Sequence, residues 1–490
     1  MDWLGWLGTG DYDVAREVVQ RGVAAVFLIA FLSAADQFPA LLGEHGLLPV
    51  PRFLDRAYAR RQPTIFRWHY SDRMLRLVAW GGVVASAVLV AGLPQLAAPG
   101  AAAVLTTVLF LLLWGAYLSI VNVGQTFYGF GWESLLCEAG FTVAWLGAAS
   151  VVAPAATPVT TLFLVRWLVF RLEFGAGMIK LRGGPEWRDL TALYYHHETQ
   201  PMPGPFSRQA HLLPKWVHRG EVLGNHFAQL VCPFFLFAPQ PVASVAAAIM
   251  IVTQLWLIVT GNFAWLNWLT VVLLFSGISD DVVHAVIPAW AWPVSSDARG
   301  LGALPVWYGV VVLAASALLI YLSWWPARNL LARRQLMNAS FNRWHLVNAY
   351  GAFGSVTKRR DEIVIEGTDD PAGRSGWRAY EFHGKPGDPG RVPRWFAPYH
   401  LRLDWLMWFL ALGAEGGGWF DMLLVRLLQA DRPTLRLLRV DPFGGRAPAF
   451  VRARVYRYRF ATRAEHRETG LVWIREDRGL LVPPVGARAD

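Results

Sequence analysis

The sequence predicts an α-helical polytopic membrane bundle of about eight to nine membrane segments, followed by a C-terminal β-rich extramembrane domain. Three observations carry that expectation. Of the 490 residues, 54% are hydrophobic and only 16% are charged, whereas water-soluble domains run nearer a quarter charged. The apolar residues collect in long blocks, with a mean hydropathy of +0.33 over the chain. Beyond about residue 340 the pattern changes to short alternating runs separated by turn signals such as "DDPAG" and "KPGDPG".

Taken in order, the blocks 23–35, 77–93, 101–121, 139–153, 159–179, 222–237, 242–258, 264–278 and 306–325 are apolar enough to span or nearly span. About 20 apolar residues are needed to cross roughly 30 Å of hydrocarbon, so the shorter blocks are expected to tilt, break or re-enter. The first residues, "MDWLGWLGTGDYDVAREVVQRG", lack a basic region leading into an apolar core and a small-residue cleavage site. Insertion is therefore expected to use the first span itself. Loops near 94–100, 154–158 and 238–241 carry no Lys or Arg, whereas 52–76 and 180–221 are basic. With nine crossings, the positive-inside rule would put both basic loops and the C-terminal third in the cytoplasm.

The membrane domain is expected over 1–335, with a polar loop at 180–221, and the extramembrane domain over 336–490. Within the latter, "DEIVIEG", "WRAYEFHG", "FVRARVYRYRFAT" and "GLVWIRED" have the alternation of strands. The segment 398–413, "PYHLRLDWLMWFLALG", is too short to span, which predicts a helix lying at the membrane interface or packed on the bundle.

Composition also excludes function classes. The net charge of +10 comes mostly from arginines gathered in a few loops, a pattern of membrane surfaces and topology control, so no nucleic-acid partner is expected. Cys137 and Cys232 sit in or beside apolar stretches without CxxC spacing, so neither a disulfide framework nor thiol exchange is expected.

The densest chemistry lies in residues 166–233. In "LFLVRWLVFRLEFGAGMIKLRG", Arg166, Glu173 and Lys180 recur every seventh residue, close to two helical turns, and so share one face. Charges at membrane depth are costly unless paired or turned to a cavity. One reading is structural, with Glu173 paired to its neighbours Arg166 and Arg171 in a buried lattice. The other is catalytic: Lys180 as a base on a lipid or quinol-like substrate, Glu173 and Arg171 tuning it, and His196, His197 or Glu198 moving protons. A transporter is the third class, but it predicts paired repeats, which the sequence lacks.

Downstream, "GGPEWRDLTALYYHHETQPMPGPFSRQAHLLPKWVHRGEVLGNHF" crowds Arg188, Asp189, His196, His197, Glu198, His211, His218, Glu221 and His226 into one linker. The prolines of "QPMPGP" stiffen it, and it reads as a polar cap over the charged face, with Arg188, Asp189 and His226 counted among the cavity and structural groups. No metal is expected, because HxxxH and HExxH are absent and the adjacent His196 and His197 point different ways. Asn262 and Asn267 read as helix-packing amides, and Asp280 and Asp281 as a solvated helix end.

The stretches "RWLVFRLEFGAGMIKLRGGPEWRDLTALYYHHETQPMPGP", "HLLPKWVHRGEVLGNHF", "GNFAWLNWLTVVLLFSGISDD" and "YEFHGKPGDPGRVPRWFAPYHLRLDWLMWFLALG" closely resemble the lipase maturation factor family. That resemblance implies a multi-pass membrane protein, in animals resident in the endoplasmic reticulum, which helps secreted homodimeric lipases to fold and assemble. It implies a client-binding role for the region after 340, an exported client protein as partner, no cofactor, and a lumenal placement of loop and C-terminal region. The Arg- and Ala-rich composition looks bacterial, which moves the expected home to a plasma membrane. Over a dozen residues, "MIKLRGGPEWRDLTAL" also looks like the vitamin K-dependent carboxylase group, whose base lysine would match Lys180.

Overall fold

The computed structural model describes residues 5–151, 155–287, 306–414 and 417–486. Five of its helices are long and apolar enough to cross a membrane: Asp13–Leu42, Asp72–Val90, Gly100–Val123, Val242–Thr260 and Val306–Leu331. A bent pair, Leu266–Gly277 with Asp280–Val286, makes a sixth if it is one span. The count is lower than the eight to nine segments expected, for local reasons. The block 139–153 begins inside a 13-residue helix, Gly131–Val143, and leaves the helix at its end. The block 222–237 is cut where Lys215–Leu230 stops and Pro233 opens a new turn, Cys232–Phe235, because proline has no amide hydrogen to continue a ladder. The block 159–179 is one continuous helix, Val159–Arg182, with Arg166, Arg171, Glu173 and Lys180 inside it.

The longest helix is also the most central. Asp13–Leu42 buries Phe27 and Phe31 completely, and both rings meet Tyr117 edge-on, at centroid distances of 5.8 and 5.3 Å. Gly82 lets Asp72–Val90 approach it: a Cβ there would lie 2.5 Å from the Phe31 ring. The start of this helix is held from a distance. Asp280 Oδ2 accepts from the amide of Asp13 at 2.9 Å and Oδ1 from that of Val14 at 3.0 Å, a carboxylate placed at the positive end of a helix dipole. Asp280, 9% exposed, is thus a cap for another element rather than the solvated helix end expected from sequence. Asp281 beside it is exposed.

The C-terminal region contains a four-stranded sheet in the order Arg378–Ala379, Arg360–Thr368, Phe450–Phe460, Trp473–Gly486. All neighbours run antiparallel. Only two residues of "WRAYEFHG" join it, and the chain between Ala379 and Phe450 carries the helices Arg402–Ala411, Trp419–Leu428 and Arg432–Leu435. Helix Arg402–Ala411 is docked on the bundle: Leu403, Asp404, Trp405 and Met407 are buried, and Trp405 lies 4.7 Å from Trp132 of Gly131–Val143. One hydrophobic core therefore runs from the bundle into the C-terminal region.

Candidate functional site: a cavity under a histidine loop

The two histidines of "YYHHETQPMP" ride on a short helix, Leu193–Thr199, that ends at Gln200. Such a helix exposes unpaired carbonyls at its C-terminal end, and here one cation collects them. Arg360, at the start of the first long strand, donates from Nη1 to the carbonyls of Glu198, at 2.9 Å, and of Gln200, and from Nη2 to that of Pro201 at 3.1 Å. The planar guanidinium suits this fan of acceptors. Glu198 in turn accepts from the amide of Phe460 at 2.8 Å, Trp408 Nε1 donates to the carbonyl of Thr199 at 3.1 Å, and Gln200 Nε2 to that of Thr260 at 2.7 Å. Asn262 completes the seam: its amide donates to the carbonyls of Pro203 and Arg394 and accepts from the amides of Phe396 and Ala397. The loop is thereby fastened to bundle and C-terminal region at once.

Beneath it lies a cavity of about 1030 Å³. Trp405, Trp408, Phe409 and Trp419 from the C-terminal helices wall one side, and Glu173, Lys180, Gln229 and Gln254 another, with His196 and His197 also at its surface. The polar wall is a single relay. Lys180 Nζ donates to Gln229 Oε1 at 2.6 Å, Gln229 Nε2 to Glu173 Oε2 at 3.1 Å, Gln254 Nε2 to Glu173 Oε1 at 2.6 Å, and Asn267 Nδ2 to Gln254 Oε1 at 2.6 Å. Lys180 also stands 5.1 Å over the Trp187 ring. Every charge on this wall is met by an amide or an aromatic face, which is how ionisable groups are tolerated away from water. A large aromatic wall facing a narrow polar stripe suits a mainly apolar guest with one polar end.

Glu173 and Arg171 do not pair as expected. Residues two apart on a helix are turned by about 200°, so Arg171 faces the other way. It bonds Glu138 with Nη2, and with Nη1 the carbonyl of Asn348 at 2.6 Å. Glu138 also takes the Asn348 amide at 2.8 Å and the Tyr350 hydroxyl at 2.6 Å. Arg166, a turn earlier, donates to the carbonyl of Ser276 at 2.8 Å and covers the Tyr12 ring, so Glu173 has neither arginine.

Two further buried clusters had no obvious sequence signal. Glu133 holds Arg402 Nη1 at 2.6 Å and His400 Nδ1 at 3.2 Å, and receives the Tyr117 hydroxyl. Glu362 holds Arg360 at 2.6 Å and Lys385 at 3.0 Å. Burial pushes the Lys385 ammonium down to about 8, and the Asp404 carboxyl up to about 6. Burial also lowers His196 and His211 to about 4 and His197 well below the usual imidazole range, and raises Glu198.

The remaining expectations divide. Arg188 and Asp189 are exposed on the far side of a short turn and take no part in the cavity wall, because Pro185–Arg188 directs them outward while Trp187 points in. His226 donates from Nε2 to the carbonyl of Trp187 at 3.0 Å, behind the wall rather than in it. HxxxH and HExxH are absent and His196 and His197 are adjacent, yet the fold brings His197 together with His218 and Glu221, with ligand atoms within 4.8 Å of one another. Gln229, Gln254 and Asn267 were the residues sequence reasoning missed as wall formers. Their signal was present, since each is an amide inside an otherwise apolar stretch.

No solved structure matches this chain. Residues 14–285 match the lipase maturation factor transmembrane domain, and residues 346–483 the lipase maturation factor C-terminal domain. Lipase maturation factor 1 of Mus musculus is 38% identical over 98% of this chain and 88% of its own length. The Homo sapiens protein of that name is 39% identical, over 98% of this chain and 89% of its own. Lipase maturation factor 2 of Homo sapiens is 32% identical over 94% and 81%. With both regions matched and identity sustained along nearly the whole chain, this protein belongs to the lipase maturation factor family.

Proposed function

We propose that this chain is a membrane assembly factor that helps exported proteins, lipases among them, to fold and mature. The observation that carries this reading is the match of both regions, membrane and C-terminal, to relatives named for lipase maturation. The geometry supports it through the seam at Arg360, Glu198 and Asn262, which fixes a client-facing region rigidly to a membrane anchor. The relay from Lys180 to Asn267 satisfies every one of its own charges internally, as a packing device would.

The setting of the reading is a bacterial plasma membrane crossed many times. Val159–Arg182 has 24 residues and so is about 36 Å long, enough to cross as well. With its charges turned inward it makes a seventh crossing beside the five long apolar helices and the bent pair. The C-terminal region sits on the outer face, with exported clients.

Co-expression tests the proposal. A secreted homodimeric lipase is produced with the full chain or with an unrelated membrane protein, and lipase activity per mass of exported enzyme is measured. A rise of several-fold with the full chain is expected; equal specific activity, with the chain abundant in the membrane, contradicts it.

A further inference from the structure

Three side chains beside the cavity are arranged as metal ligands. His218 and Glu221 lie three residues apart on Lys215–Leu230, hence on one helical face, and His197 meets them from Leu193–Thr199, all ligand atoms lying within 4.8 Å.

The hydrogen bonds around His218 make an ordinary neutral imidazole inconsistent. Its Nε2 lies 3.3 Å from the carbonyl oxygen of His211, and a carbonyl only accepts, so Nε2 carries the proton. In the neutral ring Nδ1 is then a bare lone pair. Yet Nδ1 faces a carboxylate oxygen, Glu221 Oε2, at 2.9 Å. Two acceptors at that distance repel unless something positive lies between them, either a second ring proton or a cation. His197 decides between these. It is 1% exposed, and neither of its ring nitrogens has a hydrogen-bond partner. A buried imidazole left wholly unpaired is costly, whereas one nitrogen aimed at a shared cation would be satisfied.

We propose that His197, His218 and Glu221 bind a zinc ion. Two imidazoles and a carboxylate form the mixed N and O ligand set that zinc accepts in a tetrahedron. The carbonyl of His211 plays the orienting part usual around zinc-bound histidines, holding Nε2–H so that Nδ1 points at the metal. His197 and Glu221 also line the cavity, so the fourth position opens toward it, to water or to a carboxylate carried by a guest. This site goes beyond the assembly-factor reading and does not depend on it.

The test is metal content. The full chain is purified in detergent and its zinc measured by plasma mass spectrometry, with His45→Ala, an exposed histidine elsewhere, as control. About one zinc per chain is expected in the wild type and the control, falling below about a tenth in His197→Ala and in Glu221→Gln. Zinc retained in both variants overturns the proposal, as does a wild type that neither contains zinc nor takes it up on titration. Should the variants not fold, the wild type decides alone. After chelation, Co²⁺ titration should give the strong visible bands of a four-coordinate ion, saturating at one equivalent, and weak six-coordinate bands or none contradict the site.

Discussion

Three buried residues converge on Glu138: Arg171 through its guanidinium, Asn348 through its amide and side chain, and Tyr350 through its hydroxyl. Removing one member of a buried pair leaves an uncompensated charge, at a cost of about 3–5 kcal/mol. Glu138→Ala is therefore expected to lower the melting temperature in detergent sharply, measured by scanning fluorimetry. Lys180→Met deletes one hydrogen bond and a cation over Trp187, a loss of roughly 1–3 kcal/mol, and lipase maturation should survive it; abolished maturation in a folded variant would assign Lys180 a chemical role. Histidines supply a pH dependence. His400 and His345 are lowered to about 4, in both cases by burial first. A depressed imidazole contributes stability that is present above the unfolded value near 6.5 and lost as pH falls toward 4, up to about 3 kcal/mol for each. Melting temperature should fall over that window, and His400→Gln should flatten the fall. At this scale the sequence was only half legible. The seven-residue spacing places Glu173 and Lys180 on one wall, whereas Arg166, on the same spacing, is taken by Ser276 and Tyr12, Arg171 is turned away by about 200°, and partners remote in sequence, such as Gln229 and Glu138, carry no local signature.

Among the elements, the short helix Leu193–Thr199 depends on a strand more than 150 residues later, through Arg360. Arg360→Ala should release three loop carbonyls and loosen the seam, and limited proteolysis is expected to cut near 193–203 several times faster than in the wild type. Arg360→Lys should rescue little, because an ammonium cannot match the planar fan of donors. Unchanged protection in both variants would mean that Asn262 and Trp408 hold the seam unaided. Three of the four strands were visible as alternating runs. The fourth was overestimated because the apolar residues of "WRAYEFHG" serve the core without joining the ladder: Tyr380 and Phe382 are buried, while only Arg378 and Ala379 belong to a strand. Helix Trp419–Leu428 does carry a signal in the sequence, a helical stripe of Leu423, Leu424, Leu427 and Leu428, all buried. Among the described residues five or six helices are long and apolar enough to cross, against eight to nine expected, for a related reason: apolar blocks register burial, and here much of the burial is against protein rather than lipid.

For the molecule as a whole, the two regions are not independent. Arg402 and Asn348 of the C-terminal part neutralise or cap Glu133 and Glu138 of the bundle, and Trp405 fills a slot beside Trp132. Deleting residues 340–490 should therefore strip Glu133 of Arg402 and His400, and Glu138 of Asn348 and Tyr350, and the truncated bundle is expected to aggregate or be degraded rather than persist as a silent anchor. A stable, monodisperse truncated bundle would contradict that interdependence. An assembly factor for exported proteins must meet them on the outer side, so the side on which the C-terminal region lies is decisive for the proposed function. Cys137 and Cys232 are both buried, so Glu468→Cys, on the exposed helix Arg463–Thr469, gives one reactive thiol against a quiet background. In intact cells a membrane-impermeant maleimide should label it at once; protection that vanishes only on lysis would place the region in the cytoplasm and contradict the proposed function.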